Sequence, residues 1–507
     1  MKIGFVNDCV ERLGVEYISA VLKKNKHKVQ LFIDPQLFND VYIQINSLRR
    51  YFDFIKNIIN NLIKYAPELI GFSVDTESYQ WACQIAAMIK QEMDVPIIFG
   101  GIHPTSVPER VINNDFVDMV CVGEGEYPML ELVNSMQRGQ IDYSIKNIWF
   151  KKNGQVIRNK VRSLIEDLDS LPTPDKELYY SASPYLQKVY GIITMRGCTH
   201  ACSYCVHAYL RQLYQSKGLY CRHRQVENVI RELTDGLNKY KFKAVGFFDD
   251  NFGFNLQWLE KFSVQYSKIV QKPFAVTTHP EMVSRDYVQL LKQAGCCSVT
   301  LGIQTWDSII RKEWFNREVS HEVMYKAIKL IKEAQLELIC DNIFDIPHQN
   351  IESYIQSLLP YADAKPNRIL FNQLKYFPKT PITKKAKTEK FISLERYNLI
   401  MEGKSQRGVF LGPNKGSMRT YRDLIKAKFF LYSMDCLPKA WIQYSINKRL
   451  YRFLPTFINP AFVIIFRMLF SVDTDTQHFK DRIVAHYKHY IIWRLRKFWL
   501  KRVKVKL

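Results

Sequence analysis

Long uncharged apolar runs are missing from this chain. No stretch of about 18 apolar residues is free of charge and proline, which argues against a regular membrane span. The opening MKIGFVND has no basic segment and no small-residue cleavage site, so secretion is not expected and a cytoplasmic location is. Glycine and proline are sparse, at 21 and 20 of 507 residues, and aromatics reach 13%; this excludes a low-complexity or disordered chain. No solenoid-type repeat is visible. Acidic residues are short: 49 Asp and Glu face 72 Lys and Arg, a net charge of +23. The excess favours an acidic partner or surface and fixes no fold.

The apolar fraction of 47% is ample for two or three cores. Residues 1–150 alternate short apolar runs with helical patterns. The strand candidates are Lys2–Val6, Lys28–Phe32, Leu69–Val74, Pro96–Gly100 and Met119–Val122. Strands separated by helices predict a doubly wound, flavodoxin-like (Rossmann-type) parallel sheet with its ligand crevice at the carboxyl ends of the strands. Turn residues collect at those ends, among them Gly100-Gly101 and Gly123-Glu124-Gly125-Glu126. They read either as a backbone shaped for a cofactor or as tight strand-to-helix turns. Residues 151–186 read as a connector with a polar hairpin at Lys151–Gly154. Residues 187–385 alternate again, with six strand candidates beginning at Tyr190, Ala244, Phe274, Ser298, Glu337 and Arg368; they predict a partial or full α/β barrel. Residues 386–507 are helical, basic and aromatic. The segment Lys480–Leu507 reads as a basic amphipathic helix, either lying on an anionic membrane through 450–507 or packed on the barrel.

Eleven cysteines, an odd number, do not suggest a disulfide framework. Three crowd together: Cys198, Cys202 and Cys205, spaced C-x3-C-x2-C after the first strand of the second module. From composition alone such a spacing arises roughly 0.005 times in a chain of this length, so it is specific. Three thiolates select zinc, copper(I) or an iron–sulfur cluster. Zinc calls for a fourth ligand, for which His200 and His207 are near in sequence. A [4Fe–4S] cluster on three cysteines leaves one iron open to a ligand.

The loop Cys198-Thr199-His200-Ala201-Cys202-Ser203-Tyr204-Cys205 resembles the signature of the radical S-adenosylmethionine (SAM) superfamily. Downstream segments resemble that family in order. Phe248-Asp249-Asp250-Asn251-Phe252 matches an acidic strand-end loop, Gly295–Thr305 a segment ending near Gln304, and Arg317 with Ser320 the element after it. Two later segments depart from the pattern: Asp345 and Lys379 stand where glycine is usual. The stretch Gly100–Thr105 followed by Asp118–Glu126 resembles the cobalamin-binding domain fused upstream of many radical SAM enzymes.

The resemblance implies a [4Fe–4S] cluster on Cys198, Cys202 and Cys205. It implies SAM near Tyr204, Asp249, Asp250 and Gln304, and cobalamin near Gly100, Gly101, Gly123, Glu124 and Gly125. The implied chemistry is hydrogen abstraction by a 5′-deoxyadenosyl radical, followed by methylation of an unactivated carbon or phosphinate phosphorus. A radical cyclisation or rearrangement is the alternative. An RNA-modifying relative or a zinc-structured binding protein stands further off. The implied partners are a small-molecule or lipid substrate and an electron donor such as flavodoxin or ferredoxin, with no nucleic acid. The D-x-H-x-x-G motif that supplies a lower cobalt ligand in methionine-synthase-like domains is absent. His103, in a Gly-Gly-Ile-His-Pro turn, reads as a structural group.

Overall fold

The computed structural model describes residues 1–39, 45–349, 351–404, 426, 430, 438–453 and 481–494, apart from 482 and 493. Two parallel sheets organise them. The first is built on β1 (Lys2–Asp8), β2 (Lys28–Asp34), β3 (Leu69–Ser73), β4 (Ile97–Gly100) and β5 (Met119–Cys121), in the order β2-β1-β3-β4-β5. All neighbours among these five pair in parallel. These strands carry helices on both faces, so their residues are apolar nearly throughout: β1 is buried from Ile3 to Asp8. The doubly wound arrangement is the one the alternation of elements predicts.

The polar hairpin belongs to this sheet rather than to a connector. β6 (Ile148–Lys152) and β7 (Gln155–Arg158) extend it antiparallel beyond β5. Asn153 and Gly154 both take positive φ, as a two-residue hairpin turn demands. Phe150 and Ile148 on β6 enter the core, and this ties the hairpin to the domain.

The second sheet has six parallel strands. They are β8 (Val189–Ile192), β11 (Ala244–Phe247), β12 (Phe274–Thr278), β13 (Cys296–Gln304), β14 (Glu337–Phe344) and β15 (Arg368–Gln373), in sequential spatial order. β8 and β15 do not pair, so the barrel is partial. A two-stranded ladder of β9 (Met195–Arg196) and β10 (Arg222–His223) flanks its first strand end. Ile310, Trp314 and Phe315, together with Leu374 and Tyr376 near the barrel's last strand, share one apolar cluster with Val6, Phe72 and Phe99 of the first domain.

The helices Pro381–Thr388 and Leu394–Met401 join the same cluster through Ile382, Ala386, Ile400 and Met401. The basic carboxyl-terminal segment, over its described part, also packs on the first domain and not on the barrel. Tyr490 is buried with Leu37 and Phe54, and Tyr487 and Ile491 pack beside them. The His486 imidazole lies 3.1 Å from the Pro35 carbonyl. Among the described residues no helix is long and apolar enough to cross a membrane.

Candidate active site

The cysteine loop starts where β8 and β9 end, and buried polar groups hold that start. Asp249, at the end of β11, accepts from the Thr194 amide at 2.8 Å, the Met195 amide at 2.7 Å and the Thr194 hydroxyl at 3.1 Å, all on Oδ1. Its other oxygen is buried without a partner, and burial raises its pKa to about 7. Asn251 accepts from the Thr278 hydroxyl and the His279 amide while donating to the Thr199 hydroxyl at 3.3 Å. Two strand ends and the cysteine loop are thereby joined.

Within the loop, the Cys205 amide donates to the Cys202 carbonyl at 3.0 Å, and the Ser203 amide donates to Phe315 O at 2.9 Å. The Tyr204 ring meets Phe315 edge-on at 4.7 Å. Arg317 reaches this loop from beyond β13: its guanidinium lies 3.7 Å from Cys202 Sγ and 3.5 Å from the Tyr204 hydroxyl. Burial first, and then repulsion from Asp250 and from the neighbouring thiols, pushes Cys198 up to about 11 and Cys205 up to about 12. Cys198 and Cys205 each feel the charge of Cys202, so the loop gathers the three sulfurs, and as thiolates they call for a cationic body.

The sulfurs are not drawn in to the spacing of a single zinc ion. Four sulfurs around zinc stand about 3.8 Å apart, whereas the three cysteine sulfurs are not among the described groups whose donors all fall within 4.8 Å of one another. Neither histidine near the loop closes a tetrahedron. His207 is held by the Tyr220 hydroxyl at 2.5 Å and Asp250 at 2.8 Å. His200 stacks on His279 with centroids 3.7 Å apart. His200, His279 and Glu281 do bring three donors together, but the two rings lie within 17° of parallel, so their lone pairs do not converge on one ion. The donor chemistry, three thiols with no fourth ligand from the neighbouring histidines, fits an iron–sulfur cluster.

Gln304 closes β13 at φ +66; its Nε2 donates to Asp341 at 3.1 Å, and its Oε1 is buried without a partner. A buried orphan acceptor beside the loop suits a ligand's donor group. Asp250 is the half of the acidic pair that faces open space, while Asp249 is committed to the backbone.

That open space is a cavity of about 520 Å³ between the two domains. Gly100, Gly101, Gly123 and Gly125 line it from the first sheet, and Gly197, Cys205 and Asp250 from the barrel. Two of these glycines have a requirement inside the protein itself. A side chain at Gly101 (φ +97) would meet Val74 O at 2.5 Å, and one at Gly123 (φ +86) would overlap the Tyr214 hydroxyl at 1.9 Å. The tight-turn reading therefore holds for these two, and the turns still present bare backbone to the cavity. Glu124 differs from its sequence reading. Its carboxylate is taken up by Arg196, Arg222 and the Ile165 amide rather than left free for a cofactor. His103 is fully buried between Thr76 and Tyr79 and does not line the cavity. In place of a D-x-H-x-x-G turn, Arg12 bridges Asp8 and Asp75, and Lys176 joins Glu11 to Glu16.

Comparison with known proteins agrees with this arrangement. Residues 192–359 match the model of the Radical SAM superfamily, and residues 4–133 match that of the B12 binding domain. The chain is a radical SAM enzyme with a B12-binding domain ahead of its catalytic domain, a pairing that implies a [4Fe–4S] cluster, SAM and cobalamin. It is 24% identical over 355 residues to an uncharacterized methyltransferase of Pyrococcus horikoshii, covering 69% of this chain and 72% of that one. It is 23% identical to the anaerobic magnesium-protoporphyrin IX monomethyl ester cyclase of Rubrivivax gelatinosus, covering 86% and 80%. Among solved structures, the radical SAM methyltransferase TsrM of Kitasatospora setae, with cobalamin and a [4Fe–4S] cluster bound, shares the fold at a TM-score of 0.61, 15% identity and coverage of 76% and 75%.

Arg196, Arg222, Tyr214 and Arg317 are the site's main residues that motif reading passed over or left without a role. The first three act across the domain boundary, which a one-dimensional pattern does not show.

Proposed function

We propose that this enzyme is a cobalamin-dependent methyltransferase acting on an unactivated carbon or a phosphinate phosphorus of a small-molecule or lipid substrate. The observation that carries the reading is the cavity itself: bare strand-end backbone of the B12-binding domain and the cysteine loop line one shared space. The methyltransferase relative from Pyrococcus horikoshii supports it.

Cys198, Cys202 and Cys205 would hold the cluster; Gln304 and Tyr204 would meet SAM; the loops at Gly100-Gly101 and Gly123–Gly125 would receive the corrin. When bound, the cluster with SAM supplies hydrogen abstraction and the corrin supplies the methyl group. The chain's own residues do the rest. Arg317 donates toward Cys202 and fixes the aromatic ring of Tyr204. Ile102 and Phe248 give the cavity exposed apolar walls that exclude water from a reactive centre. Asp250, steadied by His207, offers a hydrogen-bond acceptor to the cavity. Electrons would come from a flavodoxin or ferredoxin, whose acidic surfaces suit a chain of this charge.

Anaerobic reconstitution with iron, sulfide, cobalamin and SAM tests the reading. 5′-Deoxyadenosine together with S-adenosylhomocysteine is the expected product pair. Deoxyadenosine alone would favour the second reading, a radical cyclisation, which the Rubrivivax gelatinosus relative supports. A protein that takes up zinc and no iron would overturn both.

A further inference from the structure

Arg196 and Arg222 are Cα partners across the β9–β10 ladder, so two guanidiniums leave neighbouring strands side by side. Like charges directly opposite one another destabilise a ladder. Here two carboxylates of the first domain stand against them. Glu124 Oε1 takes Arg196 Nη1 at 3.1 Å and Arg222 Nη2 at 2.9 Å. Glu124 Oε2 takes Arg222 Nη1 at 3.3 Å and the Ile165 amide at 2.9 Å. Glu126 Oε1 takes the remaining Arg196 nitrogen at 2.5 Å. The four charges sum to zero, and none of the side chains is more than 15% exposed. The Glu124 amide also donates to Tyr214 at 2.9 Å, a second bond across the same boundary.

The placement of these groups gives the network a purpose beyond holding two domains together. Glu124 and Glu126 sit on the glycine loop that lines the cavity from the first domain. Arg196 lies two residues before Cys198. Gly197 between them is at φ +90, with Tyr220 O only 2.2 Å from where a side chain would begin, so only glycine fits between the arginine and the cysteine. We propose that Arg196, Arg222, Glu124 and Glu126 form a clamp that sets the separation of the cluster loop from the corrin loop, acting as positioning residues for both cofactors. The inference rests on the cofactor reading given above. A neutral residue in place of one partner leaves a buried charge uncompensated, and the loops then move to rehydrate it.

The test is a distance measurement on the holoenzyme. Reduced protein carrying both cob(II)alamin and the paramagnetic cluster gives an electron-spin dipolar splitting that reports their separation. Glu124→Gln and Arg222→Met, at full iron and cobalamin content, are expected to give a shifted and broadened splitting. Arg222→Lys keeps the charge but loses the fork geometry, so a smaller shift in the same sense is expected. Lys329→Met, which breaks the exposed pair with Glu333 on the helix His321–Glu333, should leave the splitting unchanged. Where Glu124→Gln fails to load, Arg222→Lys decides. Loaded variants with the wild-type splitting would overturn the clamp alone. A wild-type protein that binds the cluster but takes up no cobalamin would overturn the cofactor reading, and the clamp with it.

Discussion

Arg317 is the only guanidinium among the described residues that the hydrogen-bond geometry brings to a sulfur of the cysteine trio. A donor to a cluster thiolate stabilises the more negative, reduced form and raises the potential. Arg317→Met is therefore expected to lower the cluster's reduction potential while iron content holds, as redox titration would read. Cys202→Ala is expected to lose most of the bound iron and sulfide, whereas Cys297→Ala, remote from the loop on β13, should retain them. Asp249 has a pH signature. Burial raises its pKa from 3.8 to about 7 in the folded protein, so the fold binds a proton that the unfolded chain releases at lower pH. That contribution is fully present below about pH 4 and is lost as pH rises through 7. Asp249→Asn keeps an acceptor for the Thr194 and Met195 amides and removes the titration. The wild type should thus lose stability relative to the variant between pH 4 and 7, measured by chemical denaturation across that range.

At the scale of elements, two loops depart from the family pattern by lacking glycine, and both keep the backbone that glycine would supply. Asp345 sits at φ +62, with its carboxylate accepting from Gln373, and Lys379 sits at φ +64 with an exposed side chain. The left-handed conformation costs an L-residue about 1–2 kcal/mol. Lys379→Gly is expected to stabilise the protein by about 1 kcal/mol, visible as a raised melting temperature; an unchanged or lowered value would show that Lys379 is held by something more than its backbone. The strands of both sheets were legible in the sequence because each is a short β-branched or aromatic run bounded by turn residues. The sequence places the start of β14 at Glu337 and that of β11 at Ala244, where the structure has them. The hairpin Ile148–Arg158 was visible as a hairpin but not as part of a sheet, since its pairing partner β5 lies some thirty residues upstream in sequence. The helix Ile55–Tyr65 was passed over although Ile58, Ile59 and Leu62 give it a buried stripe. The cysteine loop was legible from spacing alone. Its hydrogen-bonded setting of Asp249, Asn251 and Arg317 was not, because those contacts to the loop join segments 52 to 115 residues apart.

Across the whole molecule, the carboxyl-terminal helix serves the first domain. Its tyrosines fill a recess by Leu37 and Phe54, and Tyr490 bonds Ser183 of the connector at 2.8 Å. The apolar positions that a membrane would claim are in part already occupied, although Val484 remains exposed. Removing residues 481–507 should uncover that recess and cost roughly 2 kcal/mol or more of burial. Faster hydrogen exchange around Phe38 and Phe54 is the expected sign; equal protection in both forms would show that the helix is dispensable to the domain.

The second sheet stops at six strands, and its two outer edges never meet. An arc of this kind has a mouth at its strand ends, and here aromatic residues of the first domain share an apolar cluster with the segments that follow β13 and β15. Guests seated there would draw part of their surroundings from a domain that supplies none of the three cysteines. Remodelling the wall opposite the arc would alter which molecules fit while leaving the iron-binding apparatus untouched.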